Sequence, residues 1–378
     1  MQVACLAAFL VFGIPAARAA ASDEAAAPPA APTELTALAR LLAGVDPGPA
    51  GEELLKVART DAWRVHRKSS QYGDRQLRAR LGKMDHWQHA SLPAAREGAA
   101  LIYPFSGPDF VNAFALFPDY KTYVFFSLEP PGEVPALAQM DETQLGELFK
   151  DLRGALNDLV ALNFFITPNM KEDIQTSSLQ GTVPVMLAMM GLLDLRVLSV
   201  EPYDPWLPGQ ASVKRRAGTP PLPLHAVHIE FEDRSGTRRT LEYLSLDVSD
   251  AQLAYYPEFI GWLRAFESPT ILLKSASYLL HGSNFRKVRG AIRDRAGLIV
   301  QDDTGMPYRM LRDSGFEISL FGQYEHPVKL FENRYQKDLD TAFESAGNPE
   351  PVPFPFGYNW RKEGRSGVIV ARRPAGGA

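Results

Sequence analysis

Cysteine is almost missing from this sequence. One residue, Cys5, stands in 378, and it lies inside an apolar run near the amino terminus. A chain cleaved after that run would have no disulfide, no thiolate metal site and no cysteine nucleophile. A dominant charge is missing too. Forty basic residues face 44 acidic ones, for a formal net charge of −4. That balance gives no field to gather nucleic acid or an anionic lipid surface, so no nucleic-acid partner is expected. No HExxH, no GxSxG elbow, no heptad run and no repeat of fixed period occurs.

Hydrophobic residues make up 46% and charged residues 22%, a globular rather than a disordered balance, and the length allows one large or two modest domains. Leu6 to Ala17 is apolar for about a dozen residues, short of the ~20 that cross a bilayer, and Pro15 lies near its end. The run fits the apolar core of a signal peptide. Ala17-Arg18-Ala19 places small residues at −3 and −1, which predicts cleavage after Ala19, with Ala21 the alternative. The Met-Gln-Val start carries none of the basic residues usual before such a run, and a buried N-terminal helix is the competing reading. Cleavage would place the protein in the periplasm or outside the cell, leave no transmembrane span, and remove Arg18, bringing the charge to about −5.

Residues 20–32 are rich in Ala and Pro and carry no large apolar group, so they read as a linker. Residues 33–98 predict a helical segment, with helices at 34–42, 52–59 and 61–87. The last carries Arg64, Arg67, Lys68, Arg75, Arg78, Arg80 and Lys83, which reads as a solvated face or as a surface for an envelope partner.

From Ala99 to residue 373 the pattern becomes that of an α/β domain. Residues 99–105 and 121–128 are continuous apolar runs, as expected of strands buried on both faces, with a helix at 110–117 between them. Helices follow at 142–165 and 183–193, then a third strand at 196–200. Residues 228–232 and 240–244 alternate polar and apolar across Arg234-Ser235-Gly236, predicting a hairpin with one wet face. A helix at 251–266, a strand at 270–274, a helix at 285–295 and a strand at 298–301 resume the alternation, and 316–321 and 367–371 read as final strands. The expected fold is α/β: a Rossmann-like, mainly parallel sheet with an antiparallel hairpin and N-terminal helices.

In such a sheet, ligands bind beyond the carboxyl ends of the strands. The expected ligand-binding residues are therefore those at the strand tips: Ser106, Gly107, Asp109, Glu129, Lys274 and Asp302. The Ser106-Gly107 turn could present backbone amides to an anion, although its single glycine matches neither GxGxxG nor a P-loop. Read blandly, it is a tight turn with Asp109 as helix cap. Glu129 follows Gly107 by 22 residues, the separation at which an acid of this fold reaches a ribose diol. Asp302-Asp303 forms either a turn or a paired-carboxylate site for a hard metal or a shared proton. His281 with Asp303 is the candidate acid–base pair, against the alternative of a satisfied, partly buried histidine. No motif names a cofactor or a metal. His86 and His89 find nothing nearby to complete a metal set, and the spacing of His225 and His228 puts them on opposite faces of a strand.

Two segments carry a resemblance. YPFSGPDFVNAFALFPDYKTYVFFSLEPPGEVP (103–135) and KSASYLLHGSNFRKVRGAIRDRAGLIVQDDTGMP (274–307) are similar to an uncharacterised family of exported bacterial proteins, and the likeness extends through GQYEHPVKLF (322–331) and SGVIVARR (366–373). More distantly, the stretches 99–135 and 270–305 resemble a Rossmann-like methyltransferase. That resemblance implies that Ser106-Gly107 stands for the cofactor loop, Glu129 for the ribose-binding acid, and 270–281 and 298–303 for the fourth and fifth strands. Together these readings predict an exported protein that binds a small polar ligand or an envelope partner at the strand-end rim. The alternatives are a periplasmic hydrolase or transferase using Asp302, Asp303 and His281, and an interaction protein using helix 61–87.

Overall fold

A computed structural model describes residues 34–94, 98–162, 179–202, 204–205, 225–358 and 366–374. The expected signal peptide and linker lie outside the described residues, as does the end of the helix expected at 142–165.

Nine strands form one sheet. They are β1 (Ala100–Pro104), β2 (Thr122–Ser127), β3 (Arg196–Pro202), β4 (His225–Glu232), β5 (Arg238–Ser245), β6 (Thr270–Leu273), β7 (Leu298–Gln301), β8 (Glu317–Phe321) and β9 (Val368–Arg372). Their order is β3-β4-β5-β2-β1-β6-β7-β9-β8. The five central strands, β5-β2-β1-β6-β7, pair in parallel, and the two at each flank pair antiparallel. The α/β class is thus as expected, and the sheet is mixed at its edges. All residues of β1, β6 and β7 are buried, because helices cover both faces and leave no wet side to alternate toward.

The hairpin differs from a simple extension. Its first strand, β4, bonds to β3, but its second, β5, pairs in parallel with β2 over six residues. Leu241 and Tyr243 point into one core, Leu244 and Leu246 into the other. The expected third strand, 196–200, accordingly sits at the antiparallel edge, while β5 takes the third central place. The chain therefore runs β1, β2, β5 to one side and then returns across β1 to β6 and β7 on the other. That reversal is the topological switch point, where the crevice of a doubly wound sheet opens.

Helices α1 (Glu34–Leu42), α2 (Glu52–Ala58) and α3 (Asp61–Ser91) pack into the same apolar cluster as one face of the sheet. Thr60 caps α3 by accepting from the Trp63 N–H at 3.1 Å, and the Trp63 indole donates to Leu41 O. Arg64, Lys68, Arg75, Arg78 and Lys83 lie on its exposed side. Arg80 departs from that face: it is buried, and burial brings its pKa down to about 10 against the pull of Asp109. Helices α4 (Phe110–Leu116), α5 (Glu142–Leu162) and α6 (Val183–Leu192) complete that layer. Every residue of α6 is buried, as an all-apolar helix requires. It lies so close to α1 that a Cβ on Gly191 would meet Ala39 O at 2.3 Å. The opposite face carries α7 (Glu258–Ala265), α8 (Arg286–Arg295), α9 (Tyr308–Asp313) and α10 (Lys337–Ser345). The helix expected at 251–266 is broken: a short 3-10 turn at Gln252–Ala254 precedes α7, with Pro257 at the N-cap of α7.

Candidate functional site

The carboxyl ends of β1, β2, β5 and β6 open on one cleft of about 260 Å³. Ser106, Gly107, Asp109, Glu129 and Lys274 all line it, so five of the six strand-tip residues expected to bind ligand converge there. Asp302 lies behind this cleft, and with Asp303 it borders a second space of about 10 Å³, room for a single water. Tyr358 borders both.

Beneath the cleft lies a closed ion pair. Lys274 Nζ is 2.7 Å from Asp109 Oδ2, and both side chains are almost wholly buried. The Tyr103 hydroxyl donates to the same oxygen at 2.9 Å, and Asn112 Nδ2 donates to Oδ1 at 2.7 Å. Asp109 is also the N-cap of α4, accepting from the Asn112 N–H. Burial lowers the Lys274 pKa, and Asp109 opposes that shift. Burial raises the Tyr103 phenol well above its ordinary value, reinforced by the Asp109 charge. With Asp109 committed to the cap and Lys274 to Asp109, neither offers a free charge to a ligand, and the start of α4 is already satisfied.

Three side chains at the wall are not committed: those of Ser106 and Glu129, and that of Ser275, whose buried Oγ has no hydrogen-bond partner among the described residues. Ser106 is 5% exposed, and its Oγ has no hydrogen-bond partner among the described residues. Glu129, also 5% exposed, is held through its backbone: the Tyr243 hydroxyl donates to its carbonyl at 2.8 Å and shares a 2.7 Å bond with Ser127 Oγ. No hydrogen bond or ion pair engages its carboxylate among the described residues. A buried polar atom without a partner costs roughly 1–3 kcal/mol, so Ser106 Oγ is a group awaiting one.

The segment after β6 is held in an unusual shape. Ser275, Ser277 and Tyr278 have φ of 54°, 51° and 54°, left-handed values that cost about 1–3 kcal/mol each in non-glycine residues. The β7 tip holds them there. Asp302 Oδ2 accepts from the Ser275 N–H at 2.9 Å, Thr304 Oγ1 accepts from the Ala276 N–H at 2.7 Å, and Thr304 O accepts from the Tyr278 N–H. Asp302 Oδ1 takes Thr304 N–H and Oγ–H. Gly357, at φ 71°, sits so close that a Cβ there would meet Asp302 Oδ2 at 2.1 Å. Asp302 is thus spent on shaping the cleft wall.

Asp303 accepts from the Tyr278 hydroxyl. Burial, with the Asp302 charge next to it, pushes its pKa up to about 7. His281 packs edge-on against Tyr278 at 5.1 Å, its Nε2 is buried without a partner, and burial lowers its pKa to about 4. No hydrogen bond joins His281 to either carboxylate, and among the described residues no three His, Cys, Asp or Glu side chains gather as a metal site. Because the folded Asp303 pKa lies above its unfolded value near 4, its carboxylate costs stability as pH rises through 7. Asp303→Asn is therefore expected to gain roughly 1–3 kcal/mol over the wild type at pH 8 and little at pH 4. Urea midpoints at the two pH values check this.

Sequence reasoning missed Asp247, Ser249, Asn284, Phe285 and Tyr358, which also line the cleft. Asp247 and Ser249 follow β5, whose central place was hidden by its hairpin pattern. The signal lay in Tyr243-Leu244-Leu246-Val248, apolar on both faces. No protein-family model matches the chain, and no curated protein matches it either. Among the described residues, no helix is long and apolar enough to cross a membrane.

Proposed function

We propose that the chain is an exported protein that binds a small polar ligand in the cleft at the switch point. One observation carries this reading. Glu129 at the β2 tip and Ser106 at the β1 tip, both buried, line one cavity, and the Ser106 Oγ has no hydrogen-bond partner among the described residues; convergent strand ends form binding sites in folds of this kind. Glu129 accepts hydrogen bonds from hydroxyl or amine groups of the ligand, and Ser106 donates or accepts beside it. Phe105, Leu246, Val248 and Phe285 supply the apolar walls. The likeness of 99–135 and 270–305 to a methyltransferase supports the same place, since those segments supply the β1, β2 and β6 tips. It implies no transfer step, because an exported chain would not meet S-adenosylmethionine in the periplasm.

Thermal unfolding of the purified protein with millimolar adenosine, uridine, glucose or N-acetylglucosamine tests the reading. At least one is expected to raise the midpoint by several degrees, since ligand at 100 times its Kd adds about 2.7 kcal/mol. Glu129→Gln is expected to remove most of that rise. No stabilisation by any of the four, or equal stabilisation of wild type and variant, counts against it.

A further inference from the structure

We propose that the cleft is selective by charge and takes a small organic cation, such as an amine-bearing molecule with an apolar body, while rejecting anions. The inference rests on the binding role assigned to the cleft above and narrows its ligand class.

The charges of the cleft decide the matter. Two carboxylates line it besides Asp109: that of Glu129, which no hydrogen bond or ion pair engages among the described residues, and that of Asp247 at the exposed mouth, which accepts from the Ser249 N–H at 2.8 Å. The third, Asp109, is cancelled by Lys274 at 2.7 Å. Among the described residues, Lys274 is the one basic residue in the lining, and it is consumed by that pair. Arg286, next to the lining residue Phe285, lies 3.4 Å from Asp250. Among the described lining residues, two acids and no uncommitted base leave the wall net negative, and Arg80, buried and drawn by Asp109, offsets only part of that charge from behind it. Inside a partly enclosed, low-dielectric wall, that charge is felt more strongly than in water.

The apolar lining points the same way. Phe105 and Phe285 pack edge to face at 6.0 Å, and Tyr358 stands across the strained Ser275–Tyr278 segment, its hydroxyl 2.7 Å from Ser277 Oγ. Aromatic faces attract cations within about 6 Å. Leu128 is 51% exposed although it borders the cleft, an apolar surface for the body of the ligand. An anion would find none of the usual provisions, because α4 has seven residues and its first turn is already capped by Asp109.

The test places a reporter thiol in the cleft. In a chain with Cys5→Ala, Leu128→Cys is treated with two methanethiosulfonates of similar size, one bearing trimethylammonium and one bearing sulfonate. In each case the thiolate attacks the sulfur, a disulfide forms and methanesulfinate leaves, so the thiolate fraction cancels in the ratio of the rates. That ratio, cation over anion, is expected to exceed the ratio for free 2-mercaptoethanol at least tenfold, and to fall toward it when Glu129→Gln and Asp247→Asn are added. Ser249→Cys serves as a second reporter should Leu128→Cys disturb folding. A ratio at or below that of the free thiol overturns the proposal, as does a high ratio that the two substitutions leave unchanged. The outcomes separate from those of the binding test. Stabilisation by a neutral sugar or nucleoside without cation preference removes the charge selection alone, and cation preference without such stabilisation leaves it standing.

Discussion

Asp109→Asn is expected to destabilise the protein by about 3–5 kcal/mol, lowering its midpoint by roughly 10 °C. The variant keeps the shape of the side chain and an oxygen for the Tyr103 hydroxyl, but it leaves the Lys274 ammonium buried with its counter-ion gone. The ammonium must then stay charged in a poor solvent or lose its proton, and at neutral pH the second course costs about 1.4 kcal/mol for each pH unit below the ordinary lysine value near 10.4. The sign follows. The penalty is full at pH 7 and shrinks as pH rises toward 10, where the unfolded chain also surrenders that proton. The double substitution Asp109→Asn with Lys274→Met is expected to recover much of the loss, because a buried pair exchanged for groups of similar volume is close to neutral. Equilibrium urea unfolding of wild type, single and double variants at pH 7 and 9.5 measures all of this. An unchanged midpoint for the single variant would mean that the pair contributes nothing.

Acid sensitivity centred on His66 is the second large effect expected. Its ring is fully buried, stacked on Phe149 at 4.5 Å, with Nε2 2.8 Å from Leu42 O. Burial lowers its pKa to about 4, and the Arg153 charge adds to the effect against the pull of the Leu42 carbonyl. Arg153 Nη1 lies 3.3 Å from the other ring nitrogen, so a proton there would face a cation. The folded pKa lies below the unfolded value near 6.5, so this stabilisation is present above pH 6.5 and is lost as pH falls toward 4. The stability advantage of wild type over His66→Asn is expected to shrink by about 3 kcal/mol between pH 7 and pH 4. Denaturant unfolding of both proteins across that range decides it, and a constant difference would exclude His66 as the source. His281, also lowered to about 4, adds a slope of the same sign to both proteins and cancels in the comparison.

The central sheet was legible because strands buried on both faces leave continuous apolar runs. Residues 99–105, 121–128, 270–274 and 298–301 all lie on parallel strands. Their polar tips then follow from strand direction alone, which is why the sequence places Ser106, Glu129 and Lys274 at one edge. The hairpin was harder. Its alternation is genuine on β4 and the start of β5, but the pairing of β5 with β2 is a long-range fact that a local pattern cannot hold. Electrostatic commitment across the fold was not legible, although the helix cap at Asp109 and the local turn at Asp302 were. Asp109, Lys274 and Asp302 have the residue types of a ligand site, yet contacts across 165 residues in one case and 27 in another bind them to the scaffold. Arg80 escaped for the same reason: on a helix dense with exposed bases, nothing in the sequence marks the one that turns inward toward Asp109.

The place of β9 has a consequence for how the chain reaches this shape. Val368–Arg372 lies between β7 and β8, bonded to both, although more than 45 residues separate it from either. Until that segment leaves the ribosome, β7 offers a row of open amides on one side, and β8 has no neighbour. Between the synthesis of β7, which ends at residue 301, and that of β9, which begins at residue 368, the nascent chain therefore carries an unfinished, adhesive sheet edge. Closure is a late event tied to the arrival of the last strand, which leaves a long interval in which the chain is still extended and open to handling by chaperones.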